Sequence, residues 1–223
     1  VAVATSFAPA LDALSEPFAA ETGHTLLIAR ASTGKLYAQI VNGAPFDLYF
    51  AADSARPLLL EAKGRAIADA GYVYAIGQLV LWSPAADALE DPRQTLRQTG
   101  YRFLAIANPR HAPYGVAAQQ ALTSLNLWQS LQPRLVKGEN VGQALQFVRT
   151  GNAEFGFIAA AQLAGMRGEK GSAWIVPQPL YEPLQQRVAL LQDSPAAREL
   201  LLFLRGPLAQ DLLRSYGYTL PAE

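Results

Sequence analysis

The sequence predicts an α/β fold made of two lobes, each a mostly parallel sheet flanked by helices. Three observations predict it. Short β-branched or apolar runs alternate with segments of helical periodicity. The alternation restarts in the second third of the chain, at Leu79. No stretch rich in Gly or Ser separates the two halves, so strands rather than a tether would join the lobes, with crossings near Ile76–Leu81 and Glu182–Val188.

The elements follow in order. Val1–Ala4 reads as a strand, and Pro9–Ala20 as a helix with Leu11, Leu14 and Phe18 on one stripe and Gly23 past its end. Thr25–Ala29 reads as the second strand, Gly34–Val41 as a helix stopped at Asn42-Gly43, Asp47–Ala51 as a buried strand, and Pro57–Lys63 as a helix stopped by Gly64. Downstream, Leu79–Trp82, Leu104–Ala107, Phe155–Ile158, Ala173–Val176 and Arg187–Leu191 read as strands. Val116–Leu125 and Val141–Arg149 read as helices, and Ala196–Tyr216 as two helices split at Gly206-Pro207. No internal repeat or low-complexity tract is visible.

Composition narrows the function. Of 223 residues, 51% are hydrophobic and 16% charged, which describes a globular chain. Eighteen basic residues balance eighteen acidic ones, so no net charge draws the chain to nucleic acid or an anionic membrane. There is no cysteine, hence no disulfide, thiolate metal site or cysteine nucleophile. Two histidines, His24 and His111, are too few for a multi-histidine metal centre. The nucleophile elbow, the zinc-protease helix, the phosphate loop and the dinucleotide fingerprint are all missing. His24 reads as a helix-end surface residue and His111 as a loop residue. Val1 opens directly on an apolar run, so the chain is either cytoplasmic or has lost a leader.

The informative feature lies where loops enter helices. Four helices are expected to begin beside small, neutral residues: after Thr5-Ser6, after Ser32-Thr33-Gly34, after Ala112-Pro113-Tyr114-Gly115, and after Asn140-Val141-Gly142. A helix start exposes unpaired N–H groups and about half a positive charge. Four of them converging would supply roughly +2 without any Lys or Arg, enough to answer a dianion. Each junction also has a plainer explanation, because Ser, Thr and Asn are the ordinary N-cap residues.

The chain resembles a known family in the segments T-S-F (Thr5–Phe7), A-S-T-G (Ala31–Gly34), Y-A-Q-I-V-N-G-A-P (Tyr37–Pro45) and F-D-L-Y-F-A-A-D (Phe46–Asp53). The resemblance continues in Y-A-I-G-Q-L-V-L-W-S (Tyr74–Ser83), N-P-R-H-A-P-Y-G (Asn108–Gly115), E-N-V-G-Q-A (Glu139–Ala144), Y-E-P (Tyr181–Pro183) and G-Y-T-L-P (Gly217–Pro221). In order and spacing these segments are similar to the molybdate-binding proteins of bacterial molybdate ABC transporters, which are type II periplasmic binding proteins. The resemblance implies a discontinuous first lobe (residues 1–78 and 189–223), a second lobe (79–188), and a ligand cleft between them. It implies that Thr5, Ser6, Ser32, Thr33, Tyr114 and the backbone N–H of Val141 bind molybdate or tungstate as an oxyanion. No cofactor, catalysis or directly coordinated metal is implied. A periplasmic monomer, its leader removed, would deliver the anion to a membrane permease. In one respect the chain departs from the family pattern: many relatives carry an anion-contacting tyrosine where Ala159 stands here.

Three other readings remain open on the residues alone, one of them an enzyme whose turnover depends on His111. The same fold could take sulfate or phosphate. It could also be the effector domain of a transcription regulator, although no helix-turn-helix or basic patch is present.

Overall fold

A computed structural model describes residues 1–98, 100–166, 168–169 and 171–221. The chain divides into two compact units, Val1–Gly77 with Gln185–Glu223, and Gln78–Leu184. Residues 222–223, included in the expected first lobe, lie outside the described residues.

The first unit is built on a five-stranded sheet in the order β2-β1-β3-β10-β4. These strands are β1 (Ala2–Ala4), β2 (Ala29–Ala31), β3 (Leu48–Phe50), β4 (Tyr72–Gly77) and β10 (Leu184–Leu190). Strand β1 pairs parallel with β2 on one side and β3 on the other, and β10 pairs antiparallel with β3. Helix α1 (Ala8–Thr22) buries Leu11, Leu14 and Phe18, as the stripe predicts. Each of these contributes about 1.5–3 kcal/mol by leaving water. Gly23, at φ 76°, ends the helix in the left-handed region, its N–H on Ala19 O. Helices α2 (Thr33–Val41) and α3 (Ala55–Ala62) follow β2 and β3.

The second unit repeats this wiring without repeating the sequence. Its sheet runs β7-β6-β8-β5-β9, with β5 (Leu79–Ser83), β6 (Leu104–Ala107), β7 (Leu135–Gly138), β8 (Phe155–Ala159) and β9 (Ser172–Ile175). Strand β6 pairs parallel with β7 and β8, as β1 does with β2 and β3. Helix α4 (Pro92–Arg97) is a short surface turn. Helix α5 (Pro113–Ser124) leaves β6, α6 (Trp128–Leu131) precedes β7, α7 (Val141–Arg149) leaves β7, and α8 (Ala160–Gly165) leaves β8. The tail returns to the first unit as α9 (Pro195–Phe203) and α10 (Pro207–Ser215), split at Gly206-Pro207 as the sequence predicts.

Several expectations are corrected. The sheets are mixed rather than mostly parallel, because β5 runs antiparallel to both β8 and β9, and β10 runs antiparallel to β3. Parallel neighbours need a crossover of a dozen or more residues. Strands β5 and β10 instead join their sheets at the chain crossings and carry no such constraint. Residues 185–188, expected in the second lobe, fall in the first, where Val188 pairs with Phe50. The second strand lies at Ala29–Ala31 rather than Thr25–Ala29, because its register places Ala29 opposite Ala2. Leu27, ahead of that register, is 84% exposed. Strands β4 and β7 are additions. Strand β4 lies where the sequence suggests only a crossing, and β7 is a half-exposed edge strand with no alternation to betray it.

Candidate functional site

In the first unit, the sites expected from sequence gather at the C-terminal ends of neighbouring parallel strands, the usual place for ligands in α/β sheets. The register Ala4↔Ala31 places Thr5-Ser6 beside Ser32-Thr33. The Thr5 N–H extends that ladder to Ala31 O at 3.1 Å. Strand β3 completes the group: the Ala52 N–H donates to Thr33 Oγ1 at 3.0 Å.

Burial separates these residues by role. Ser6, Ser32 and Thr33 are 1%, 2% and 1% exposed. Among the described residues, the Oγ atoms of Ser6 and Ser32 are buried without a hydrogen-bond partner. Ser32 occupies the N-cap of α2, yet its side chain makes no cap bond. Capping therefore does not account for this serine. Thr33 does hold structure together, its Oγ1 accepting from Ala52 and its carbonyl from Tyr49 Oη at 2.7 Å. A hydroxyl that accepts one bond still has a proton to donate. Thr5 is only partly buried, and the structure gives its side chain no distinguishing contact.

The second unit presents two further helix starts from the equivalent strands. Helix α5 begins at Pro113, not after Gly115 as its motif suggests, so Tyr114 is the second helical residue. Proline suits this first position because its missing N–H is one the helix leaves unpaired anyway. Tyr114 is 2% exposed. Gly115 is required by close approach: a Cβ there would lie 2.3 Å from Ala107 O, at the end of β6. At the start of α7, capping is real: Asn140 Oδ1 accepts from the Gln143 N–H at 2.9 Å. That leaves Val141, the first helical residue, with its N–H at the helix mouth.

Ala159 ends β8 fully buried, and its N–H donates to Gln162 Oε1 at 3.0 Å. Gln162 Nε2 in turn donates to Val141 O at 3.2 Å. A buried glutamine thus links the alanine position to the start of α7.

Sequence reasoning missed the groups behind the serines. Tyr218 Oη donates to Ser6 O at 2.9 Å. Tyr74 Oη reaches Gln186 Oε1 at 3.0 Å, and Gln186, fully buried, also hydrogen-bonds the Tyr218 phenol. Burial pushes the phenols of Tyr49 and Tyr218 well above their ordinary range, so both remain proton donors. The rings of Tyr218 and Tyr74 are part of an aromatic packing with Phe7 and Phe50, in which Phe7 and Tyr74 stand 4.6 Å apart. The only signal in the sequence was chemical, since a buried tyrosine needs a partner for its hydroxyl.

The nearest ion pair, Asp53–Arg56, is only partly buried and acts on the Tyr49 phenol. The buried polar residues among those described are Ser6, Ser32, Thr33, Ser83, Gln162 and Gln186, all neutral. No group of His, Cys, Asp or Glu among the described residues could hold a metal ion. His24 pairs with Glu199 at 3.3 Å on the surface, and His111 sits in a turn with its N–H on Asn108 O.

Comparison with known proteins places this geometry. Residues 1–219 match the family of bacterial extracellular solute-binding proteins. The chain belongs to that family. The molybdate-binding protein ModA of Azotobacter vinelandii is 42% identical over 99% of this chain and 89% of that protein. ModA of Rhodobacter capsulatus is 40% identical, covering 97% and 86%. Among solved structures, the Azotobacter vinelandii periplasmic molybdate-binding protein aligns with a TM-score of 0.94 at 38% identity, covering 99% of this chain and 98% of that one. The sulfate-binding protein SubI of Mycobacterium tuberculosis shares the fold, with a TM-score of 0.78 at 14% identity. This solute-binding protein therefore has the type II periplasmic binding fold implied by its motifs, and its relatives are binding proteins rather than enzymes.

Proposed function

We propose that this protein binds molybdate, with tungstate as an equivalent ligand, and delivers it to the permease of an ABC transporter in the periplasm. A monomer takes up the anion; in the first unit Ser6, Ser32 and Thr33, with Thr5 beside them, are its donors, and in the second unit the donors are Tyr114 and the amide of Val141. The single observation that carries this reading is the pair of buried serine hydroxyls, open for bonding, at adjacent helix starts where the buried polar residues described are all neutral. The 42% and 40% identities to ModA proteins support the choice of anion.

The chemistry follows from what the site contains. Molybdate is fully ionised near neutral pH and only accepts hydrogen bonds. Hydroxyl and amide donors match it completely. Each bond to a charged partner contributes about 1.5–3 kcal/mol, so a handful offsets much of the cost of leaving water. Phosphate near neutral pH keeps a proton and needs an acceptor, which none of the proposed contact residues supplies as a carboxylate. Sulfate has the right charge but shorter bonds, and donors tied to helix starts cannot all close around it. Tungstate matches molybdate in size and charge, so the two are bound alike.

A thermal-unfolding series with molybdate, tungstate, sulfate and phosphate tests the proposal. Ligand at about 100 times its Kd adds about 2.7 kcal/mol. For a chain of this length that is roughly 5–11 °C. The expected result is a large shift with the first two anions and a small one with the others. Equal shifts with sulfate and molybdate would remove the size argument, and no shift with any would remove the function.

A further inference from the structure

Three of the residues that carry the proposed donors share a feature that the donor role does not itself require. Each has its own carbonyl held from behind by a buried side chain. Tyr218 Oη donates to Ser6 O at 2.9 Å, Tyr49 Oη to Thr33 O at 2.7 Å, and Gln162 Nε2 to Val141 O at 3.2 Å. The three side chains come from unrelated places: the segment after α10, the middle of β3, and α8. Tyr49 is fully buried, and Tyr218 and Gln162 are each 5% exposed.

These bonds are extra to secondary structure. In α2 and α7, the carbonyl of the first helical residue already faces the amide four residues on. The phenol or amide occupies its second lone pair. What such a bond adds is orientation. The peptide unit is planar, so fixing a carbonyl fixes the N–H on the far side of the same unit. The amides of Gly34 and Gly142 are set directly in this way, and Thr33 and Val141, the residues that carry the proposed donors, are pinned at their carbonyl ends. For Ser6, whose following amide is already bound to Ala4 O at 2.8 Å, the bond fixes the backbone that carries the open hydroxyl.

We infer that Tyr218, Tyr49 and Gln162 are positioning residues that hold the oxyanion donors at the radius of molybdate and so set its preference over sulfate. The inference rests on the oxyanion-binding reading above and extends it to selectivity. A donor free to move inward would follow the shorter bonds of sulfate; a donor held from behind cannot. The two phenols suit this use because burial keeps them protonated beyond the ordinary tyrosine range. Gln162 also ties Ala159 to the same helix start, through Ala159 N–H to Oε1 at 3.0 Å.

The test uses the full chain with Tyr218→Phe, Tyr49→Phe and Gln162→Met made singly. Titration calorimetry gives Kd for molybdate and for sulfate, and thermal unfolding of the ligand-free protein reports the fold. Each variant is expected to weaken molybdate about tenfold, one orienting hydrogen bond's worth, and to weaken sulfate less, so the Kd ratio narrows. A purely structural role would lower the unfolding temperature and leave that ratio alone. The inference is overturned if folded variants bind both anions as the parent does, or lose both equally. Gln162 lies in a different unit from the tyrosines, so one variant that fails to fold leaves the others decisive. A parent protein that binds neither anion would remove the oxyanion reading itself. A parent that prefers molybdate, with variants unchanged, removes only the positioning role.

Discussion

Replacing Ser32 by Ala should move binding and stability in opposite directions. The hydroxyl is buried, 2% exposed as a residue, and has no partner of its own. A buried polar group left unsatisfied costs the folded chain about 1–3 kcal/mol. Alanine removes that cost while giving up little packing, since the N-cap bond it would forfeit is not made. The ligand-free variant should therefore unfold later. Taking about 1 kcal/mol as the gain, the shift is roughly 2–4 °C for a chain of this size. Binding should suffer, because a charge-assisted bond worth about 1.5–3 kcal/mol disappears, or roughly 10- to 150-fold in Kd. Ser6→Ala should behave likewise. Thr33→Val is the control with the opposite sign. It strips the acceptor from the Ala52 N–H and should destabilise the ligand-free protein by about 1–3 kcal/mol. Differential scanning fluorimetry and calorimetric titration with molybdate read both quantities. A Ser32→Ala protein that unfolds earlier than the parent and keeps the parent's Kd would show that the hydroxyl serves the fold, and the reasoning would fail.

Three further outcomes are expected. Val141→Pro should delete a proposed backbone donor while keeping α7, because proline is favoured at a first helical position and Asn140 before it is already extended at φ −155°, ψ 174°; circular dichroism should be unchanged and molybdate affinity at least about tenfold weaker. Gly115→Ala should destabilise the second unit and weaken binding together, since the new Cβ meets Ala107 O at 2.3 Å, which chemical denaturation and titration will register. Stability should fall as pH rises from about 10 through 12: burial raises the Tyr72 phenol to about 12 and those of Tyr49 and Tyr218 well above 10, so in that window the unfolded chain has lost protons that the folded chain retains, and the phenolate absorbance of Tyr49 and Tyr218 should appear only with unfolding.

The sequence made the helix starts legible because local chemistry sets them. Small residues at Ser6 and Ser32, Pro113 in a first turn, and Asn140 as a cap all announce the entry of a helix, and α1, α2 and α7 begin within about two residues of where they were expected. It could not show which caps were caps. The Asn140 side chain accepts from the Gln143 N–H, whereas the Ser32 hydroxyl has no hydrogen-bond partner among the described residues, and residue type does not distinguish the two. Strand direction was hidden for a related reason. Hydrophobic runs at Leu79–Ser83 and Leu184–Leu190 look alike whether paired parallel or antiparallel, and only the absence of a crossover helix before each one decides. The supporting tyrosines were invisible as a group because Tyr49 and Tyr218 are 169 residues apart and share no spacing rule.

The repeated wiring is what would let the proposed donors suit a dianion without basic residues among them. In each unit the strand order second-first-third places the two opening strands side by side, β1 with β2 and β6 with β7, and each of those strands leads into a helix. Two helix starts per unit amount to about one positive charge, supplied by peptide dipoles that need no particular side chain. The sequences of the two units are thus free to diverge, and no internal repeat survives between them. What must be kept is room and open donors at the mouths, which is why the proposed donors there are hydroxyls or backbone amides. A lysine in place of Ser32 would add charge, but its ammonium would need burial at a cost of several kcal/mol whenever the anion is away. Dipoles carry no such penalty, because the helix behind them is already paid for by packing against the sheet.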